Sequence, residues 1–194
     1  MRVKICGITC PEDAQAAERA GADAIGVVLA SASPRSVTPE KAREIYSSVG
    51  PFITRVAVTH TTSREDLDTI LALHPDAIQI SHAFSFDYDP GVRVIRVLAK
   101  GDRVPDDCDG VIVDESHGAG RMFDLSYACD VVARAKVPVI LAGGLTPDNV
   151  AEAIRKVRPY AVDVSSGVGG LPGKKDHRKI RAFIQESKRF EAGA

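Results

Sequence analysis

The sequence predicts an α/β fold: a compact, single-domain (β/α)8 TIM barrel over residues 1–194, with the helices after strands 4 and 5 shortened or missing. Three observations predict it. Eight short apolar, β-branched runs recur at spacings that suit a strand plus a connection. The runs are nearly continuous rather than alternating, as in strands covered on both faces. Most intervals between them carry helix-start signals. Repeated strand–helix units point to a parallel sheet, and an open doubly wound sheet usually stops at five or six strands. The 194 residues sit at the lower end of the barrel's size range, about 200. An open α/β sheet is the alternative.

The runs are 3–6 (VKIC), 24–29 (AIGVVL), 53–58 (ITRVAV), 77–80 (AIQI), 92–98 (VRVIRVL), 110–114 (GVIVD), 137–142 (VPVILA) and 161–166 (AVDVSS). After the first, Thr9-x-x-Glu12 reads as a capping box. Thr38 before Pro39 and Thr146 before Pro147 read as N-caps ahead of a first-turn proline. Over 61–74, helical spacing puts Leu67, Ile70, Leu71 and His74 on one face. Segments 127–136 and 177–190 read as helices as well. Segments 82–91 and 100–109 are broken by Pro, Gly and Asp, so little or no helix is expected there.

Composition narrows the class. Hydrophobic residues make up 44% of the chain, enough for a sizeable core, and the formal net charge is −1. That balance gives no reason to expect nucleic acid or a membrane surface as partner. No apolar run approaches the roughly 20 residues of a membrane helix, and the opening MRVKICGITCPED is too polar for a signal peptide. Cys6, Cys10, Cys108 and Cys129 form no CxxC pair, so neither a structural metal nor a disulfide framework is expected. A reduced, cytoplasmic protein is the expectation, either monomer or homodimer.

In such barrels the active site lies at the carboxyl ends of the strands. That rule turns the polar residues into a map. Cys6 closes the first run, and the loop carrying Arg35 follows the second. Gln79 and Ser81 close the fourth, and Asp114 closes the sixth, ahead of Gly118 and Gly120. Gly143 and Gly144 follow the seventh; Ser165, Ser166 and Gly167 follow the eighth. Small residues on those last two loops let backbone N–H groups approach an anion, at the usual phosphate place of these barrels. The alternative is that the glycines only make turns. Cys6 could be core filler and Asp114 a loop cap; alternatively one could take a proton and the other give one, as general acid–base catalysis needs. Arg35 could be a solvated surface residue or a carboxylate clamp. The GAG at 118–120 could be a flap or only a loop. Lys4, two residues before Cys6, points to the same side by strand alternation, where an ammonium would favour a thiolate.

The chain resembles the phosphoribosylanthranilate isomerases of tryptophan biosynthesis. The resemblance is carried by KICGIT 4–9, SPRSVT 33–38, the aspartate of VIVDES 111–116, GAGRMFD 118–124, LAGGLTPDNV 141–150, and VDVSSGV 162–168 with PGKKDHRKI 172–180. It implies a (β/α)8 barrel that needs no cofactor and no metal. It also implies an Amadori rearrangement of a small phosphosugar–anthranilate substrate. Carried over by position, Cys6 is the base that removes the C2′ proton and Asp114 the acid that opens the furanose ring. Arg35 holds the anthranilate carboxylate, and Gly143, Gly144, Ser165, Ser166 and Gly167 hold the phosphate.

Departures cluster on the aryl side. Where the family usually has Gln-Leu-His-Gly, this chain has QISH, with Ser81 in place of the histidine. The third run ends AVTH, and Leu125 stands where a tryptophan often follows. Ser81 is expected to line the aryl side and His82 to lie outside the pocket, since one step along a strand flips the side chain. Two alternatives remain: another phosphosugar isomerase or epimerase on the same barrel, and a phosphate-binding barrel without catalysis.

Overall fold

The computed structural model describes residues 1–86, 89–114, 125–170 and 173–189. Eight parallel strands close into a barrel: β1 (Arg2–Cys6), β2 (Ala24–Leu29), β4 (Thr54–Thr59), β5 (Ala77–Ile80), β6 (Arg93–Leu98), β7 (Gly110–Val113), β8 (Val139–Leu141) and β9 (Ala161–Val164). Their spatial order is β1-β9-β8-β7-β6-β5-β4-β2, and β1 pairs with β2 to close the ring. A two-residue strand, β3 (Ser36–Val37), adds to the end of β2 opposite Val28 and Leu29. It falls inside SPRSVT and was not expected from the sequence, being too short to show a period.

Among the described residues six α-helices follow the strands: α1 (Pro11–Ala20), α2 (Pro39–Ser47), α3 (Arg64–Leu71), α4 (Leu125–Arg134), α5 (Val150–Val157) and α6 (His177–Lys188). None of them is long and apolar enough to cross a membrane. Strand residues of one parity face outward: Val3, Ile5, Ile25, Val27 and Ile78 share one buried cluster with Ala14, Leu67, Ile70 and Phe183 of the helices. Residues of the other parity fill the barrel. Val28, Val56, Val58 and Ala77 form one inner cluster with Cys6; Ile112, Ile140, Ala142 and Ala161 form another. This double burial is why the runs lack a clean alternation.

Several helix starts differ from their sequence signals. Thr9 and Glu12 do not form a capping box. Helix α1 starts at Pro11 with Cys10 as N-cap, and the Thr9 hydroxyl donates to the Gly173 carbonyl instead. Proline's preference for the first helical position decides the boundary. The Thr38–Pro39 signal holds, with Thr38 Oγ1 accepting from Lys41 N–H. The same dipeptide at Thr146–Pro147 makes a turn, and α5 begins at Val150. There Asn149 Oδ1 accepts from Thr146 N–H at 2.8 Å, closing that turn before the helix. Helix α3 ends at Leu71, so His74 is not on its apolar face. It is exposed, with φ of 51°, and Leu73 is buried in its stead.

No helix follows β5 or β6 among the described residues. Arg96, on the outward face of β6, takes over the polar bonding there. Its Nη1 donates to His82 O at 3.0 Å, and its Nη2 to Phe84 O at 2.8 Å and Asp107 Oδ2 at 2.6 Å. Only 6% of Arg96 is exposed. One side chain thus satisfies the carbonyls that would otherwise face the uncovered flank of the barrel. Arg96→Leu should destabilise the chain by about 2–4 kcal/mol, because two carbonyls lose a charged donor. Urea unfolding measures this; a loss below about 0.5 kcal/mol would show that the loop holds itself.

Candidate active site

The site begins one layer below the barrel rim. Lys4 and Cys6 alternate with Ile5 on β1, so both side chains enter the barrel. Lys4 Nζ donates to Gln79 Oε1 on β5 at 2.9 Å and to Asp163 Oδ1 on β9 at 3.1 Å. It also shares the space in front of Gly26 with the Cys6 sulfur. Room for this comes from Gly26, the register partner of Cys6 on β2. A Cβ there would stand 2.8 Å from Sγ, 3.0 Å from Lys4 Cε and 3.1 Å from Lys4 Nζ.

Burial governs the electrostatics, and the partners oppose it. Burial pushes the Cys6 thiol up; Lys4 is the strongest influence pulling it back, Asp163 adds to the rise and Lys175 opposes it. Burial also works against the Lys4 ammonium, but Asp163 and Cys6 outweigh it and hold Lys4 above its ordinary 10.5. Burial pushes the Asp163 carboxyl up, Lys4 pulls it back, and the Asp114 carboxylate pushes it further. Asp163 therefore feels both Cys6's partner on β1 and the half-buried Asp114 at the end of β7.

At the rim, Gly7 follows Cys6 with φ of 70°, a conformation that glycine alone adopts at no cost. A Cβ at Gly7 would meet Arg35 Cδ at 2.6 Å and Ser165 Oγ at 2.8 Å. Arg35 thus crosses the end of β1 towards the end of β9. Lys175 Nζ donates to Ser165 O at 3.0 Å. Its backbone N–H is held by Asp13 of α1, which also bonds His177 at 2.8 Å. A cavity of about 290 Å³ lies here, lined by Gly7, Arg35, Ser165, Ser166, Lys174 and Lys175 among others. Two larger recesses, about 740 and 620 Å³, lie away from the carboxyl rim. One flanks the helix-free side and the other is the amino-terminal mouth. The rim is where strand ends and loops converge, so the smaller cavity marks the site.

The two glycine loops abut. Gly143 and Gly144 have φ of 90° and 63°. A Cβ at Gly167 would fall 1.9 Å from Leu145 O, so the loop after β9 can press on the loop after β8 only because Gly167 has none. Ser166 opens a 3₁₀ turn, Ser166–Val168. Gln79 is buried and committed to Lys4, one layer below the exposed Ser81. His82 turns outward: its carbonyl accepts from Arg96, and its ring packs edge-on against Phe84 at 4.7 Å. Gly118 and Gly120, with the suggested flap, lie outside the described residues.

Sequence reasoning missed four contributors. Asp163 sat inside an apolar run, where a lone carboxylate is itself the signal of a buried partner. Lys175 entered only as part of the PGKKDHRKI motif, with no role of its own. Gly26 read as part of a strand. His60 at the end of β4 was noted only as a departure; its Nδ1 lies 3.0 Å from Ser31 Oγ, in the loop that carries Arg35.

Comparison with known proteins follows this geometry. Residues 3–186 match the family model described as N-(5'phosphoribosyl)anthranilate (PRA) isomerase. The chain is 62% identical over its whole length to a Methanoregula boonei N-(5'-phosphoribosyl)anthranilate isomerase, which it also covers completely. It is 45% identical to a Pseudomonas fluorescens enzyme of the same name, over 95% of this chain and 97% of that one. The Thermus thermophilus phosphoribosyl anthranilate isomerase crystal structure superposes with a TM-score of 0.87 at 34% identity, covering 98% of this chain and all of that one. A second such isomerase, solved with reduced 1-(o-carboxyphenylamino)-1-deoxyribulose 5-phosphate, gives 0.80 at 35%, covering 97% and 99%.

Lys175 supplies a test of this electrostatic picture. Burial lowers its pKa from 10.5 to about 8. Between those values the unfolded chain binds the extra proton, so this residue makes stability rise with pH across that window and leaves it flat below. Lys175→Met should remove that rise, worth up to about 3 kcal/mol. Unfolding free energies from pH 7 to 10.5 measure it; parallel profiles for the two proteins would contradict it.

Proposed function

The chain belongs to the N-(5'-phosphoribosyl)anthranilate isomerase family, and from that premise we propose how its own residues carry the reaction. The substrate is N-(5'-phosphoribosyl)anthranilate and the product 1-(2-carboxyphenylamino)-1-deoxyribulose 5-phosphate, a step of tryptophan biosynthesis. Asp114 gives a proton to the furanose ring oxygen. The C1′–O bond breaks, and the nitrogen lone pair forms a C1′=N iminium. Cys6 then takes the C2′ proton, and the electrons of that C–H bond neutralise the iminium to an enolamine. Tautomerisation gives the ketone. The sequence needs one acid and one base, each worth about 10²–10⁴ in rate.

The observation that carries this reading is the buried layer beside Cys6, where Lys4 Nζ bonds Gln79 and Asp163 and shares the space before Gly26 with the sulfur, with the Asp114 carboxylate near enough to push the Asp163 carboxyl up. Arg35, reaching over Gly7, is suited to the anthranilate carboxylate. Gly143 and Gly144, just before the Leu145 that Gly167 packs against, are suited to the phosphate together with Ser165, Ser166 and Gly167. Ser81, small and exposed at the rim, borders the aryl side. A reduced, cytoplasmic setting suits a base that works through a free thiol, and all four cysteines are free.

Turnover is followed by loss of the substrate's fluorescence. Cys6→Ser and Asp114→Asn should each lower kcat by at least about 10² while substrate still binds. A variant keeping more than about a tenth of wild-type kcat would lose its assigned role. Gly144→Asp should weaken binding of substrate and of inorganic phosphate together, since a carboxylate there repels the anion and blocks the backbone N–H groups. Unchanged inhibition by phosphate would move the phosphate site elsewhere.

A further inference from the structure

We propose that Lys4, held between Gln79 and Asp163, is a positioning residue whose ammonium brings the Cys6 thiolate within reach, and that Asp163 limits how far it does so. This rests on Cys6 being the base. The charged groups facing the sulfur are Lys4 from β1, Asp163 from β9 and Lys175 from the loop before α6. Gly26, on the other flanking strand, contributes no charge and only space.

The geometry leaves Lys4 little choice. Its side chain is about 5% exposed, its ammonium has two fixed acceptors on opposite strands, and the sulfur stands beside it in front of Gly26. A buried thiol in apolar surroundings is inert; one beside a fixed ammonium can ionise when the substrate excludes water. Asp163 has two effects. It keeps Lys4 charged, and its own negative charge works against a second anion at sulfur. The ammonium and the sulfur share the space in front of Gly26, where a Cβ would stand 3.1 Å from Nζ and 2.8 Å from Sγ, and Lys4 pulls the thiol down more strongly than Asp163 pushes it up, so the pair as a whole favours the thiolate. Neither side chain needs to touch the substrate.

The test is the pH profile of Cys6 alkylation by iodoacetamide, followed at that residue by peptide mass spectrometry. Alkylation reads the thiolate directly and does not depend on turnover. Lys4→Met should move the midpoint up by at least about one pH unit, a tenfold loss of thiolate at neutral pH. Lys4→Met/Asp163→Asn, which leaves no unpaired buried charge, should lie between that variant and wild type. A merely structural role would change the amount of folded protein and leave the midpoint where it was. Where the single variant does not fold, the double variant alone carries the test. A midpoint at or below that of wild type in either variant would overturn the proposal. Full turnover in Cys6→Ser with shifted midpoints would remove the base assignment and leave the clamp standing; the opposite pattern would remove only the clamp.

Discussion

The contact between Lys4 and Asp163 is the constraint on which the rest of the site depends. It joins the two strands that meet where the first and last segments of the barrel close, with Lys4 directly opposite Asp163 in register. Through Gln79 it also reaches across the barrel to β5. A buried ion pair contributes little net stability, since desolvation cancels most of the attraction. Breaking one is a different matter, at about 3–5 kcal/mol, because the surviving charge is stranded. The pair therefore fixes which side chains can occupy this layer. Gly26 is required because the ammonium and the thiol already fill the space in front of it. Asp114 and Lys175 are drawn into the same electrostatic field, one through Asp163 and one through Cys6.

Above that layer, the chemistry is assembled by close approach rather than by long side chains. Gly7 lets Arg35 and Ser165 meet over the end of β1, and Gly167 lets two anion-suited loops touch. Asp13, fully inside α1's inner face, sets the height of Lys175 by holding its backbone N–H. On the opposite flank, where helices are lacking, Arg96 closes the hydrogen bonding with a single guanidinium. The barrel is economical because individual buried charges do work that elsewhere takes a helix.

Much of the fold was legible because strand burial on both faces leaves a contiguous apolar run. The segments 24–29 and 77–80 are strands with those same bounds, and the stretches after the fourth and fifth runs hold no helix among the described residues. Helix starts were less legible. A threonine–proline pair marks a true N-cap at Thr38 but a turn at Thr146, and the difference lies in Asn149, whose side chain bonds back to Thr146. The rim position of Cys6 and Asp114 followed from strand ends alone. Of the layer that tunes them, Lys4 followed from strand alternation, whereas Lys175 reaches Ser165 only through the fold and Asp163 sits in a run that reads as apolar. Gln79 was expected to face the substrate; alternation put it on the correct side, but depth along the barrel axis is invisible to a period of two.

The chemistry at Cys6 depends on Lys4 being charged inside the barrel. The most direct measurement is side-chain nitrogen NMR of Lys4 in the wild-type protein across a pH titration. The structure predicts an ammonium with slow proton exchange whose pKa lies above the ordinary 10.5. A neutral amine at Lys4, titrating below about 9 as an unpaired buried lysine would, would contradict it.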